Sequence, residues 1–425
     1  AMKNRSIKIN RFLPYSRQNV DERDIEEVCR VLKEDFITQG PRIERFEKKF
    51  AEYVGAKFAV ACATGTAALH LSCQALKLGP GKNLITSPIT FVASANCAQF
   101  VGADTCFADI DLKDHCISAE ALEKELKNKK IDIVVIVHMS GHPANLEAIF
   151  ELKKKFDFKI IEDSCHALGG YYKKKKIGSC TYSDISTFSF HPVKAITTGE
   201  GGMITTNDDE IYHRLLRLRS HGINKGTDQL IYPDQKDSQG IQAQWYYEMQ
   251  ELGHNYRITD IQCALGLSQF AKIDQFVERR RKIVKRYDQA FSNMPYCSPA
   301  QLTGRDESGH HIYVLRINFD AIGMSRQRFM KELRERGIGS QVHYIPVPLQ
   351  PVYRQLGHDA SQYHHAMEYY DEAISEYENI INSYPDRALP YYDLGLLYKL
   401  KSENNIAIEN FNTARSINPF KEKYF

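Results

Sequence analysis

Lys194 closes the run Ser189-Phe190-His191-Pro192-Val193-Lys194 and is followed by Thr197-Thr198-Gly199-Glu200-Gly201-Gly202. Upstream, the apolar stretch Lys159-Ile160-Ile161-Glu162 ends in Asp163, then Ser164-Cys165-His166-Ala167-Leu168-Gly169. The amine can condense with an aldehyde, and the acid can keep a pyridine nitrogen protonated so that the ring accepts electrons. With a hydroxyl beside a glycine turn, these are the groups that pyridoxal phosphate chemistry requires. A lysine after an aromatic run is, taken alone, most often a solvated surface residue. The acid, the serine and the glycines in this order favour the chemical reading.

Other residues extend the pattern. Thr64-Gly65-Thr66 opens a helix directly after a short apolar strand. Free amides and the positive end of the helix dipole can hold a phosphate there, and Gly65 lets the backbone approach closely. Any helix start uses such residues, so the position in the first strand–helix unit carries the argument. The Ser189 hydroxyl is a natural second phosphate donor. Asp163 ends a strand, where ligands collect in open α/β sheets. His166 is a candidate for the cofactor phenolate and equally a candidate packed core histidine. Phe91, in Ser87-Pro88-Ile89-Thr90-Phe91-Val92-Ala93, is a candidate plate over the pyridine ring, with a plain core phenylalanine as the alternative.

Alternating helical and strand patterns from about residue 20 must position these groups. Helices are predicted over Asp21–Glu34, from Ala67, over Ala119–Leu126 and over Ala144–Lys154. Strands are predicted over Phe58–Cys62, Asn83–Thr86, Thr105–Ala108, Ile131–Val137 and Lys159–Ile161. Strands apolar on both faces imply a mostly parallel sheet between helices. One long helix is expected from Ile258 towards Tyr287, linking a large and a small domain. A small α+β unit follows: strand His310–Phe319, helix Arg326–Arg336, strand Ser340–Tyr344. The expected organisation is an arm over 1–20, a large cofactor domain over 21–268, a small domain over 269–370 and an all-α extension over 371–425.

The 425 residues carry a formal net charge of +3, 43% hydrophobic and 26% charged residues, as in an ordinary soluble globular protein. That balance gives no support for a nucleic-acid partner. The basic run Lys173–Lys176 reads as a solvated hairpin tip. No apolar run approaches the roughly 20 residues of a membrane-spanning helix, and the first residues lack the apolar core of a signal peptide. Ten cysteines without metal-ligand or framework spacing suit a reducing compartment, so no metal is expected and a cytoplasmic location is.

The last residues change character. Tyr391, Leu394, Gly395, Tyr398, Ala407, Phe411, Ala414 and Pro419 match the tetratricopeptide (TPR) landmarks. One repeat length of about 34 residues earlier stand Ala373, Tyr377 and Pro385. Tyr377, Ile380, Leu394, Tyr398, Ala407, Phe411 and Ala414 are the expected interior of a short helical stack. Its apolar end face would then seek the small domain, a dimer partner or another protein.

The sequence resembles the DegT/DnrJ/EryC1/StrS family of sugar aminotransferases from about Phe12 to about Ser375. The likeness rests on Leu13-Pro14-Tyr15-Ser16-Arg17-Gln18, Ile37-Thr38-Gln39-Gly40-Pro41 and the Asp163 and Lys194 segments. It includes Arg219-Ser220-His221-Gly222, Gly253-His254-Asn255-Tyr256-Arg257 and Val342-His343-Tyr344-Ile345-Pro346. The resemblance implies fold type I with Lys194, Asp163 and His166 in catalysis. It implies a homodimer in which Asn255 reaches the neighbouring subunit's cofactor phosphate. It further implies glutamate as amino donor and the C4 keto group of a UDP-linked 4-keto-6-deoxy-HexNAc, on a pseudaminic acid-type route, as acceptor. Tyr15, Gln39, His221, Arg257 and Tyr344 are the implied sugar-nucleotide contacts. Other nucleotide-linked keto-sugars, such as dTDP-3-keto or 4-keto sugars, are the alternative. Dehydratase relatives carry histidine in place of the lysine, which Lys194 opposes. An interaction protein built on a weakened enzyme domain and a TPR tail is a third reading, opposed by the intact set of catalytic positions. Two departures stand out: Pro348 where the family often has histidine, and the TPR pattern where the family ends in a short segment and a final helix.

Overall fold

The computed structural model describes residues 12–14, 16–225, 230–232, 239–240, 243, 245–301 and 304–377. Helices α1 (Glu22–Val31) and α2 (Pro41–Val54) precede β1 (Phe58–Cys62), α3 (Gly65–Ala75), β2 (Asn83–Thr86), α4 (Ala93–Gln99) and β3 (Asp104–Phe107). Then come α5 (Ala119–Asn128), β4 (Ile133–Val137), α6 (Leu146–Phe156) and β5 (Lys159–Asp163). A hairpin of β6 (Tyr171–Tyr172) and β7 (Lys175–Lys176) is followed by β8 (Ile185–Ser189), β9 (Gly202–Thr206) and α7 (Asp209–Arg219). The basic run thus forms the predicted hairpin, with Lys176 Nζ 3.0 Å from the centre of the Tyr53 ring.

Seven strands form one sheet in the order β1-β9-β8-β5-β4-β2-β3. Pairings from β3 across to β8 are parallel, and β9 alone runs against its neighbours β8 and β1. The two-residue period of a strand explains why these segments are apolar throughout. In β4, Ile133, Val135 and Val137 pack with Leu69 of α3 and Leu215 of α7, whereas Val134 and Ile136 pack with Leu122 of α5 and Ile149 of α6. Both faces are covered, so no residue of β4 is polar.

The chain continues through β10 (Ile223–Lys225) and β11 (Tyr247–Met249) to α8 (Asp260–Phe270) and α9 (Ile273–Phe291). The single long helix expected from Ile258 to Tyr287 is broken between α8 and α9. The break has a cause in side-chain anchoring. Gln269 Nε2 donates to Asp24 Oδ2 at 2.6 Å, and Lys272 Nζ reaches both Asp21 and Asp24 at 2.8 Å. These contacts fasten the end of α8 and the linking Lys272 to the first turn of α1, and α9 starts afresh at Ile273.

Strands β12 (Cys297–Pro299) and β13 (Ile312–Ile317), helices α10 (Arg326–Glu335), α11 (Pro351–Gln355) and α12 (His364–Glu372), and β14 (Ala373–Tyr377) complete the described chain. The predicted strand Ser340–Tyr344 is not one. Leu13 instead pairs beside Ile338, donating to Gly337 O and accepting from Gly339 N at 2.7 Å each, and residues 342–346 run on as a loop. The helical extension predicted from residue 371 is corrected at its start, over residues 373–377. α12 ends at Glu372, and Ala373 turns to an extended conformation, φ −75 and ψ 131. Residues 373–377 then pair antiparallel with β13, which would otherwise present an open edge. Arg316 of β13 clamps the turn by bonding Glu368 and Glu372 at 2.7 Å. The remaining TPR landmarks, from Ile380 to Pro419, lie outside the described residues.

Candidate active site

The chemistry-bearing residues sit where the parallel strands end. Thr64 follows β1 and caps α3, its hydroxyl accepting from Ala67 N at 2.9 Å. Asp163 is the last residue of β5 and Ser189 the last of β8. The turn carrying Lys194 is tied back to its strand, because Thr197 Oγ1 and Thr198 N both donate to Phe190 O at 3.0 Å. Phe190 is fully buried, so the turn has a rigid footing.

A cavity of about 400 Å³ brings these groups together. Its lining includes Thr64, Gly65, Thr66, Asp163, His166, Ser189 and Lys194, together with Phe91 and Tyr344. Phe91 is 56% exposed, which excludes the core alternative, and its ring lies 6.0 Å from that of Tyr344. His166 is packed and also faces the cavity. Its Nε2 shares a hydrogen with Tyr344 OH at 3.1 Å.

The cavity lining does not include Gln39, His221, Asn255 or Arg257. His221, Asn255 and Arg257 instead gather around Ser220, on the segments that follow α7 and precede α8. Ser220 bridges Asn255, His221 N donates to His254 O at 2.8 Å, and Arg257 Nη1 reaches Ser220 Oγ at 3.4 Å. Gln39 stands in the left-handed region just before α2, at φ 54. Tyr15 lies outside the described residues.

Several site residues carry no signal in the sequence. Ser94 Oγ donates to Asp163 Oδ2 at 2.6 Å and shares a hydrogen with Thr90 Oγ1 at 2.8 Å, while Cys165 N donates to Asp163 Oδ1 at 3.2 Å. The carboxylate is therefore held from two sides. His311 Nε2 lies 3.5 Å from Lys194 Nζ, and its ring packs against that of His166, tilted by 38° with centres 4.3 Å apart. His343 lines the cavity beside Tyr344. Cys165, His343 and Thr90 stand inside runs singled out in the sequence, though without a role; Ser94 and His311 are brought in by folding.

Enclosure dominates the electrostatics. Lys194 keeps some accessible area because it faces the cavity, yet desolvation by the walls pushes its amine below the ordinary lysine value, against the pull of Cys165 and Asp163. Burial raises the Cys165 thiol, with the Asp163 charge adding to it. His166 and His311 are driven well below the usual imidazole value by burial and then by nearby positive charge. Burial followed by the Lys194 charge takes His343 to about 3. Three neutral imidazoles therefore surround one amine.

The donor set fits pyridoxal phosphate. A Cβ built on Gly65 would stand 2.7 Å from Ser189 Cβ, so the first turn of α3 and Ser189 form one close cradle for a phosphate. The fixed carboxylate of Asp163 and the Lys194 amine line the same cavity.

The sequence model described as the DegT/DnrJ/EryC1/StrS aminotransferase family matches residues 18–376. The chain belongs to this family. It is 37% identical over 347 residues to the UDP-4-amino-4,6-dideoxy-N-acetyl-beta-L-altrosamine transaminase of Campylobacter jejuni, covering 81% of this chain and 87% of that one. Its fold matches that of Helicobacter pylori PseC, an aminotransferase involved in the biosynthesis of pseudoaminic acid. That match has TM-score 0.78 and 32% identity over 96% of this chain and all of that one. Spr1654 of Streptococcus pneumoniae, solved in PLP and PMP forms, matches at 27% identity, with TM-scores of 0.77 and 0.78 over 94% of this chain and 99–100% of that one. Like its family, the chain is a pyridoxal phosphate-dependent aminotransferase.

Proposed function

We propose that this aminotransferase moves an amino group from glutamate to the C4 keto carbon of a UDP-linked 4-keto-6-deoxy-HexNAc, in a route of the pseudaminic acid type. The gathering of Lys194, Asp163, Ser189 and the start of α3 around one cavity carries the reaction class. Likeness to the Campylobacter and Helicobacter enzymes supports the sugar.

When bound, pyridoxal phosphate supplies an aldehyde to take up the amino group and a ring that draws electrons from the bond being broken. The residues of this chain do the rest. Thr64, the amides of Gly65 and Thr66, and Ser189 hold the phosphate. Asp163, itself fixed by Ser94 and the Cys165 amide, holds the ring nitrogen. Lys194 Nζ would take up and return the proton at the substrate carbon, a task suited to an amine whose pKa enclosure has lowered. Phe91 and Tyr344 exclude water from the cavity.

The same reading takes the enzyme to be a homodimer. The group formed by His221, Asn255 and Arg257 lies outside this chain's own cavity, the arrangement expected if these residues serve a neighbour's site. Assays of UDP- and dTDP-linked keto-sugars side by side, with glutamate as donor, test the substrate. A UDP-4-keto sugar is expected to be aminated; a clear preference for a dTDP-3-keto sugar would move the enzyme to another branch of the family.

A further inference from the structure

His311 has supports that an incidental cavity residue would lack. It immediately precedes β13, and its backbone N–H donates to Ser140 O at 2.9 Å. Gly309 N likewise donates to Gly141 O at 2.8 Å. Gly141 has φ +94, and a Cβ there would stand 2.8 Å from His310 N and 3.0 Å from His311 N. The turn after β4 and the strand leading into the small domain are thus pressed backbone to backbone, and no side chain fits between them. The imidazole is 1% exposed and rests against His166. Its Nε2 ends 3.5 Å from Lys194 Nζ, at the long end of hydrogen bonding.

We propose that His311 is a positioning residue for Lys194, holding the lysine amine at one point of the cavity wall whenever that amine is not bonded to the cofactor. The residue type matters. A neutral imidazole has one donor and one acceptor nitrogen, so it can accept from the ammonium or donate to the free amine. A carboxylate would fix the charged form, and a cation would expel it. An amine that must take up and release a proton needs a neighbour that tolerates both states. The other groups around the amine are Asp163 and Cys165 at the end of β5, His166 on the next turn, and His343 on the 342–346 loop. His191 and Glu200 line the same cavity from the lysine's own turn. Among these, His311 makes the hydrogen-bonding approach to Nζ.

The inference rests on the proposed role of Lys194, so its test is separate from that role. Full-length enzyme freed of cofactor is pulsed with an acetylating reagent across a pH series, and labelling of the Lys194 peptide is read by mass spectrometry. His311→Phe removes the hydrogen-bonding nitrogen while keeping a ring on His166. Without an acceptor the ammonium is harder to maintain, so labelling below the amine's midpoint should run about tenfold faster than in the wild type. His311→Asn, which keeps a donor and an acceptor, should return to within about threefold. Superimposable profiles for wild type and His311→Phe would overturn the proposal. Should the phenylalanine variant fail to fold, the ring ¹⁵N shifts of His311 decide. They should follow the Lys194 titration in the wild type and lose that step in Lys194→Ala; no step in the wild type would refute the contact. Borohydride trapping of the holoenzyme separately reads the covalent role. A trap at another lysine would sink the proposed function and leave the labelling result standing.

Discussion

One wall of the cavity is made by Thr64, Asp163, Ser189 and Lys194, a second by His343 and Tyr344, with His311 outside the lining and its Nε2 3.5 Å from Lys194 Nζ. The two walls enclose the same space but are held differently. The first wall stands on the ends of β1, β5 and β8, whose backbones are locked by sheet pairing and whose side chains need only follow their strands. The second wall and His311 belong to segments distant in the chain. His311 is placed by the turn at Ser140 and Gly141. The loop beneath His343 and Tyr344 is placed by Tyr369 OH donating to His343 O at 2.8 Å and by Val347 N donating to Pro88 O at 2.9 Å. The first wall carries the amine, the carboxylate and the phosphate cradle, and the second supplies neutral rings. Charge stands where the scaffold is stiffest, and tuning is left to segments that pack onto it.

That contrast breaks most sharply at Lys194. Lys194→Ala is expected to lower amino transfer by about a thousandfold or more. Cofactor should still bind through Thr66, Ser189 and Asp163, but borohydride should no longer fix it to the chain. Normal transfer by this variant would remove Lys194 from the chemistry.

The stiffness of the first wall is sharpened by Gly65→Ala. The added Cβ would meet Ser189 Cβ at 2.7 Å with sheet-anchored backbone behind both residues. Overpacking of about 1–3 kcal/mol should weaken cofactor binding by roughly tenfold to a hundredfold. Spectroscopic titration with pyridoxal phosphate measures it. Affinity within about twofold of wild type would mean that the cradle yields and the first wall is no stiffer than the second.

The smallest expected effect concerns the neutrality of the second wall. His343 is depressed to about 3 from an ordinary 6.5 by burial and by the Lys194 charge. As pH falls through 6.5, the unfolded chain takes up a proton that folded His343 refuses, so stability is lost progressively down to the folded value. The loss approaches about 1.4 kcal/mol per pH unit inside that window. His343→Gln should therefore show a flatter decline of urea-unfolding stability with acid than the wild type. Identical slopes would show that His343 is not held neutral by the fold.

The sequence by itself determined the first wall and the layer that bears it. Ile133–Val137 folds as the strand it spells, because a run apolar at every position has only the covered interior of a parallel sheet to occupy. Asp163, Ser189 and Lys194 were legible because two end their strands and the third lies on the turn just after β8, so local order in the chain is also order in space. Where competing contacts decide, the sequence misleads. Ala373 and Tyr377 fit a helical repeat in spacing, yet the open edge of β13 draws residues 373–377 into a strand. Ser340–Tyr344 alternates like a strand but forms no more than an isolated bridge at Gln341, and becomes the loop that carries Tyr344 to the cavity. The helix from Ile258 breaks because Gln269 and Lys272 are bound by Asp21 and Asp24, far away in the chain. The meeting of His311 with Lys194 was likewise the decision of the tertiary structure alone. Such contacts depend on how finished elements dock, and docking is set by the shape and hydrogen bonding of both partners, which no local stretch of sequence contains.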